Sequence, residues 1–173
     1  MNSSRTAIPT MIIVDNNLIF RPVLKAIISV EKIAKIVGEA SNGIELLNLL
    51  LQITPDLVLM DIEMKQMDGI EATQKALELY PDLKIIVLTE NDFQEYYSYK
   101  MFSIGAMGFI LKSKGVWELE KAIKEVMMGR KYFPEYTNGS NGKTYGGESS
   151  IQSKFKQING KIKKNLLQRN FKE

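Results

Sequence analysis

Four side chains of this chain have the types needed for one kind of chemistry: Asp15, Asp61, Thr89 and Lys112. Each directly follows an apolar run, namely Met11-Ile12-Ile13-Val14, Leu57-Val58-Leu59-Met60, Ile85-Ile86-Val87-Leu88 and Phe109-Ile110-Leu111. Two or three oxygen ligands suit a hard divalent cation such as Mg2+, which takes few protein ligands and keeps waters. A lysine offers a point charge to phosphate, and a threonine hydroxyl can donate to a phosphoryl oxygen. A carboxylate can itself be the nucleophile and give an acyl phosphate. Phosphoryl transfer needs mainly positioning and charge neutralisation, which these groups supply if they meet.

The order of elements brings them together. Short apolar runs buried on both faces are the pattern of parallel strands. Ile33–Val37 adds a fifth such run, second in chain order. Helical patterns lie between them. Phe20, Val23, Leu24, Ile27 and Ile28 share one apolar face, with Pro22 in the first turn. Asn42 with Glu45, and Asp68 with Glu71, read as capping boxes. The first opens a helix whose Ile44, Leu47 and Leu51 face inward; the second opens a helix to about Leu79. Phe93, Tyr97, Met101 and Ile104 mark a fourth helix. Val116, Leu119, Ile123 and Val126 mark a last one, stopped at Gly129. Alternating strands and helices predict an α/β fold, a parallel sheet with helices on both faces. Right-handed crossovers put every strand C-terminus on one edge, so the four groups converge on one rim.

Composition narrows the chemistry. The 173 residues include no Cys and no His, which excludes thiolate chemistry, disulfides, common zinc sites and serine-type triads. Met11–Val14 is too short for the core of a signal peptide, and no stretch is long enough to span a bilayer, so a cytoplasmic location is expected. The formal charge of +3 is uneven: seven of the 23 basic residues but one of the 20 acidic residues lie from Ile151 onward. The rest of the chain carries 16 basic and 19 acidic residues, and an acidic body makes nucleic acid an unlikely partner of the folded domain.

The combined motifs resemble the receiver (CheY-like) domain of bacterial two-component response regulators. The matching residues are Val14-Asp15, Leu59-Met60-Asp61 with Met64 and Met67-Asp68-Gly69, Leu88-Thr89, and the run from Gly105 through Lys112. Leu18-Ile19-Phe20-Arg21 and the Gly-Ala-x-Gly-aromatic run are most similar to receivers of the NarL/LuxR type. The resemblance covers roughly residues 9–133. It implies a flavodoxin-like doubly wound five-stranded sheet in the order 2-1-3-4-5. It implies that Asp61 is the phosphoacceptor, that Lys112 pairs with the phosphoryl group, that Thr89 hydrogen-bonds it and that Phe109 turns inward behind it. Mg2+ would be held by Asp15, Asn16, Asp61 and the main-chain carbonyl of Glu63. The implied partner is a sensor histidine kinase or phosphotransfer protein. The face of the fourth helix, fifth strand and fifth helix becomes a candidate homodimer surface.

The chain departs from the family pattern at three places. Asn16 stands where a second acid is usual, Lys65 where a proline is usual, and Glu90 where a small residue often follows the threonine. Residues 134–173 read as a flexible linker, rich in Gly, Asn and Ser, and a basic tail. Ile151, Phe155, Ile158, Ile162 and Leu166 in that tail have roughly helical spacing, and no DNA-binding domain is evident there. The expectation is thus a receiver that switches on phosphorylation and is not a metabolic enzyme. Two other readings are a receiver-like interaction module that no longer phosphorylates, and a transcription regulator acting through its basic tail.

Overall fold

The middle of the sheet is β3 (Leu57–Met60), buried at each of its four residues. In this computed structural model residues 8–90 and 94–133 are described, together with the backbone of Tyr136–Thr137 and Thr144–Tyr145. Around β3 the chain runs β1 (Thr10–Val14), α1 (Phe20–Val30), β2 (Lys35–Ala40), α2 (Gly43–Leu50), then α3 (Gly69–Leu79), β4 (Lys84–Thr89), α4 (Gln94–Ile104), β5 (Gly108–Leu111) and α5 (Gly115–Met127). The five strands are all parallel, in the order β2-β1-β3-β4-β5. That is the order which the resemblance implied.

Strand alternation divides the core between the faces of the sheet. Met11, Ile13, Leu57, Leu59, Ile86 and Leu88 meet Leu24 and Ile28 of α1 and Leu119, Ile123 and Val126 of α5. Ile12, Val14, Val58, Met60 and Ile85 meet Leu46 and Leu50 of α2 and Ala72 and Ala76 of α3. Near the β5 edge, Ile62, Val87 and Phe109 meet Met101 of α4 and Ala106.

Several local expectations change. β2 is Lys35–Ala40, not Ile33–Val37. The Ile33 N–H still donates to Ile28 O, so that residue finishes the turn out of α1. The true strand contains Gly38, where a Cβ would lie 3.2 Å from Ile12 Cγ1. In α2 the inward residues are Gly43, Leu46 and Leu50, whereas Ile44 and Leu51 are exposed. In α1, Val23 is exposed.

Both expected caps form, though only Asn42 has a reaching glutamate. Asn42 Oδ1 accepts from Glu45 N–H, and Glu45 Oε2 reaches back to Ser41 N–H. Asp68 Oδ1 accepts from the Ile70 and Glu71 N–H groups, while Glu71 pairs with Lys75. Phe93 and the basic tail lie outside the described residues. Within the stretch read as linker, β6 (Tyr136–Thr137) pairs antiparallel with β7 (Thr144–Tyr145).

Candidate functional site

At the C-terminal rim of the sheet, Lys112 Nζ lies 2.8 Å from Asp15 Oδ2 and 3.0 Å from Asp61 Oδ2. Lys112 opens a 3-10 turn after β5, and its side chain is nearly buried. The Phe20 ring lies 4.6 Å from its Nζ, where a cation over an aromatic face is favourable.

Each carboxylate is fixed by its own main chain. The Asp61 N–H donates to Val14 O at 2.8 Å, continuing the β1–β3 ladder, and Asp61 Oδ1 accepts from Ile62 N–H at 2.8 Å. Asp15 Oδ1 accepts from Asn17 N–H at 2.7 Å, and the Asp15 N–H donates to Ala40 O. Asn17 Oδ1 in turn accepts from the Ile19 and Phe20 N–H groups, seating the start of α1 beside the acid.

Burial pushes the Asp61 carboxyl above the usual carboxylate range; the Lys112 charge and hydrogen bond oppose that, and the Asp15 charge adds to it. Burial alone would lower the Lys112 ammonium. Its hydrogen bond to Asp15 and the charge of Asp61 outweigh that and hold it above the ordinary lysine value. The trio is therefore a charged cluster in which one cation serves two acids.

The remaining expected residues lie around it. Thr89 ends β4, is buried, and stands opposite Leu111 in the β4–β5 register, one residue before Lys112. Phe109 is 1% exposed, so its ring is already inward. Asn16 is half-buried beside Asp15, and the Glu63 side chain is exposed. Glu90, the residue after Thr89, is exposed.

The expected cation site fits the residues present. Its donors are all oxygen: the two buried carboxylates, the Asn16 amide and the Glu63 carbonyl, a hard-cation set. Among the described residues no three acidic side chains cluster as a metal site, so a cation here would need main-chain and amide oxygens beside the two carboxylates.

Two residues with no assigned role in the sequence reading shape the rim. Arg21 Nη1 donates to Asp15 O at 2.9 Å, Ala40 O at 2.8 Å and Ser41 Oγ at 2.9 Å, tying the ends of β1 and β2 together. Its targets are mainly carbonyls, which leave no mark in a sequence; a cation one turn beyond Asp15 was the available signal. Gly69 lets α3 approach the acid: a Cβ there would lie 2.0 Å from Asp61 O.

Comparisons with known proteins identify the family and the fold. Residues 11–124 match the model of the response regulator receiver domain family. The transcriptional regulatory protein DegU of Brevibacillus brevis is 33% identical over 129 residues, covering 74% of this chain and 54% of that protein. A LuxR-family two-component response regulator from Aurantimonas sp. SI85-9A1 superposes with a TM-score of 0.69 at 28% identity, over 73% of this chain and 89% of that one. A structure of two RcsB dimers bound to two parallel DNAs gives a TM-score of 0.64 at 28% identity, covering 74% of this chain and 64% of that one. The chain spans about half the length of curated relatives it matches.

Proposed function

This chain belongs to the response regulator receiver family, and from that premise we propose that it accepts a phosphoryl group on Asp61 from a phosphohistidine of a sensor histidine kinase or phosphotransfer protein. The observation that carries this reading is the contact of Lys112 Nζ with both Asp15 Oδ2 and Asp61 Oδ2. A carboxylate oxygen of Asp61 attacks phosphorus, the phosphorus–nitrogen bond to the donor breaks, and the imidazole leaves with the bonding pair and takes up a proton. The product is an acyl phosphate. On this reading Lys112 neutralises a phosphoryl oxygen at Asp61, and the Thr89 hydroxyl donates to another.

A bound Mg2+ would neutralise charge on the phosphoryl oxygens, held by Asp15, Asp61, the Glu63 carbonyl and the neutral amide of Asn16. Phe109 and the α4–β5–α5 face around it would carry the response. We infer a signalling switch rather than a metabolic enzyme, acting in the cytoplasm. No helix among the described residues is long and apolar enough to cross a membrane.

The expectation that nucleic acid is an unlikely partner lacks support. DegU is named a transcriptional regulatory protein, and RcsB is described bound to DNA. A DNA-directed output is therefore part of the proposal, through chain outside the matched region. One observation favours the non-phosphorylating module instead: Asn16 leaves the expected cation site a charge short, and Glu90 puts an exposed acid next to Thr89. Incubation with a phosphorylated histidine kinase domain decides between the readings. Transfer of label that Asp61→Asn abolishes supports the phosphoacceptor; intact donor and no label on the parent support the module.

A further inference from the structure

A sheet edge leaves a row of N–H and C=O groups open to pairing. β5 ends the strand order of the five-stranded sheet, yet its outer side is taken by the chain's own continuation. After α5 the chain turns at Gly129, whose φ of +79 favours glycine. Tyr132 then bridges in parallel to Gly108. The Phe109 N–H donates to Tyr132 O at 2.8 Å, and the Tyr132 N–H donates to Met107 O at 2.8 Å.

Side chains hold this seat from both flanks. The Tyr132 hydroxyl donates to Glu118 Oε1 on α5. Burial, then that bond, pushes the Tyr132 hydroxyl pKa well up, so it stays a donor at any ordinary pH. Lys131 Nζ stands 3.8 Å over the Phe102 ring on α4. Phe133 meets the same ring edge-on, centroids 5.2 Å apart. Phe133 also packs against the cluster of Ile62, Val87, Met101 and Phe109.

We propose that residues 131–133 are an output strap, whose seat on β5 is linked to the position of Phe109 and through it to the phosphoryl site. This rests on the phosphoacceptor reading. The backbone of Phe109 bonds the strap directly, and its ring fills a cluster that Phe133 helps to cover. Phe133 packs on the cluster that holds the inward ring, so a Phe109 ring that left it would strip Phe133 of those contacts. The inward ring and the seated strap therefore stabilise each other. Coupling between two such equilibria is reciprocal: a ligand that favours the inward ring tightens the strap by the factor by which the strap tightens that ligand. The strap is also where the receiver continues into the rest of the chain, so its seat sets how that chain leaves the switch strand. A partner that added a strand to β5 would have to displace Tyr132.

Amide hydrogen exchange on the full chain tests this, with Mg2+ and the phosphoryl mimic beryllofluoride, in the parent, Asp61→Asn and Phe133→Ala. Beryllofluoride should raise protection at the Phe109 and Tyr132 amides by about fivefold or more, the low end of ordinary coupling. Asp61→Asn should show no such rise, and Phe133→Ala should weaken beryllofluoride binding by a matching factor. If the Ile62 amide reports binding while Tyr132 is unchanged, the strap is uncoupled and the proposal is overturned. A second arm needs no ligand. Phe109→Ala should speed exchange at Tyr132 beyond its effect on the rest of the sheet, whereas Leu50→Ala, in the cluster beneath α2 and α3, should not. If the parent fails to bind beryllofluoride, the phosphoacceptor reading falls. The link to the phosphoryl site falls with it, and the Phe109→Ala comparison then decides only whether the strap's seat is tied to Phe109.

Discussion

Lys112 Nζ lies 3.0 Å from Asp61 Oδ2, although 51 residues separate them in the chain. The same nitrogen contacts Asp15, so three strand ends share one charge cluster. The ammonium holds in place the carboxylate it would assist, and it also stands where a cation would draw on the same oxygens.

Removing that ammonium leaves two buried acids without their counter-charge. Breaking a buried pair from one side commonly costs about 3–5 kcal/mol. Lys112→Ala should lose stability of that order at neutral pH without Mg2+, read as a fall in Tm. Added Mg2+ should restore more stability to the variant than to the parent. An unchanged Tm would mean that the contact is not neutralising the pair.

The Asp61 carboxyl is held above its ordinary value of 3.8, chiefly by burial, so folding favours its protonated form. The stability tied to this group is fully present below the unfolded value and is lost as pH rises through the higher folded value. Asp61→Asn, which imitates the neutral form, should gain on the parent through that window and keep the gain to neutral pH. Urea unfolding of both proteins across the acid range, without Mg2+, measures the difference. A gain that shrinks as pH rises would reverse the assigned shift.

Gly69→Ala should act on the site through the backbone. Its Cβ would lie 2.0 Å from Asp61 O and 2.9 Å from Ile62 Cα, and neither is a side-chain end that can swing away. Overpacking of this kind costs about 1–3 kcal/mol. The shift it forces on Asp61 should also slow phosphorylation. Parent-like kinetics in a destabilised variant would show that the acid tolerates the displacement.

Asn16→Asp supplies the charge that the cation site lacks. Even at an effective dielectric near 20, a carboxylate a few ångströms from a dication should bring a net gain on the order of 1 kcal/mol or more, roughly fivefold in affinity. Calorimetric titration should show tighter Mg2+ binding, and acceptance at Asp61 should quicken. Without metal the added acid raises carboxylate repulsion, so the apo variant should be less stable. Equal Mg2+ affinity in both proteins would place residue 16 outside the cation's reach.

The rim was legible because fully buried strands are unbroken apolar runs, and each stops at the polar group that matters. Asp15, Asp61 and Lys112 follow from that, as does the buried Phe109 at the start of its run. β2 was shifted because it is a half-exposed edge strand containing Gly38 and Glu39, whose types argue against a strand. The phase of α2 was misread because leucines at 46, 47, 49, 50 and 51 satisfy two helical faces. Arg21 and the strap at Tyr132 act through backbone carbonyls and amides across long separations, which residue types do not record.

Whether Asp61 accepts phosphate is read by intact-mass analysis after exposure to a small acyl phosphate donor and Mg2+. One added phosphoryl group is expected on the parent, labile to base as an acyl phosphate requires, and none on Asp61→Asn. An unmodified parent at saturating Mg2+, or a phosphoryl group that survives Asp61→Asn, would contradict it.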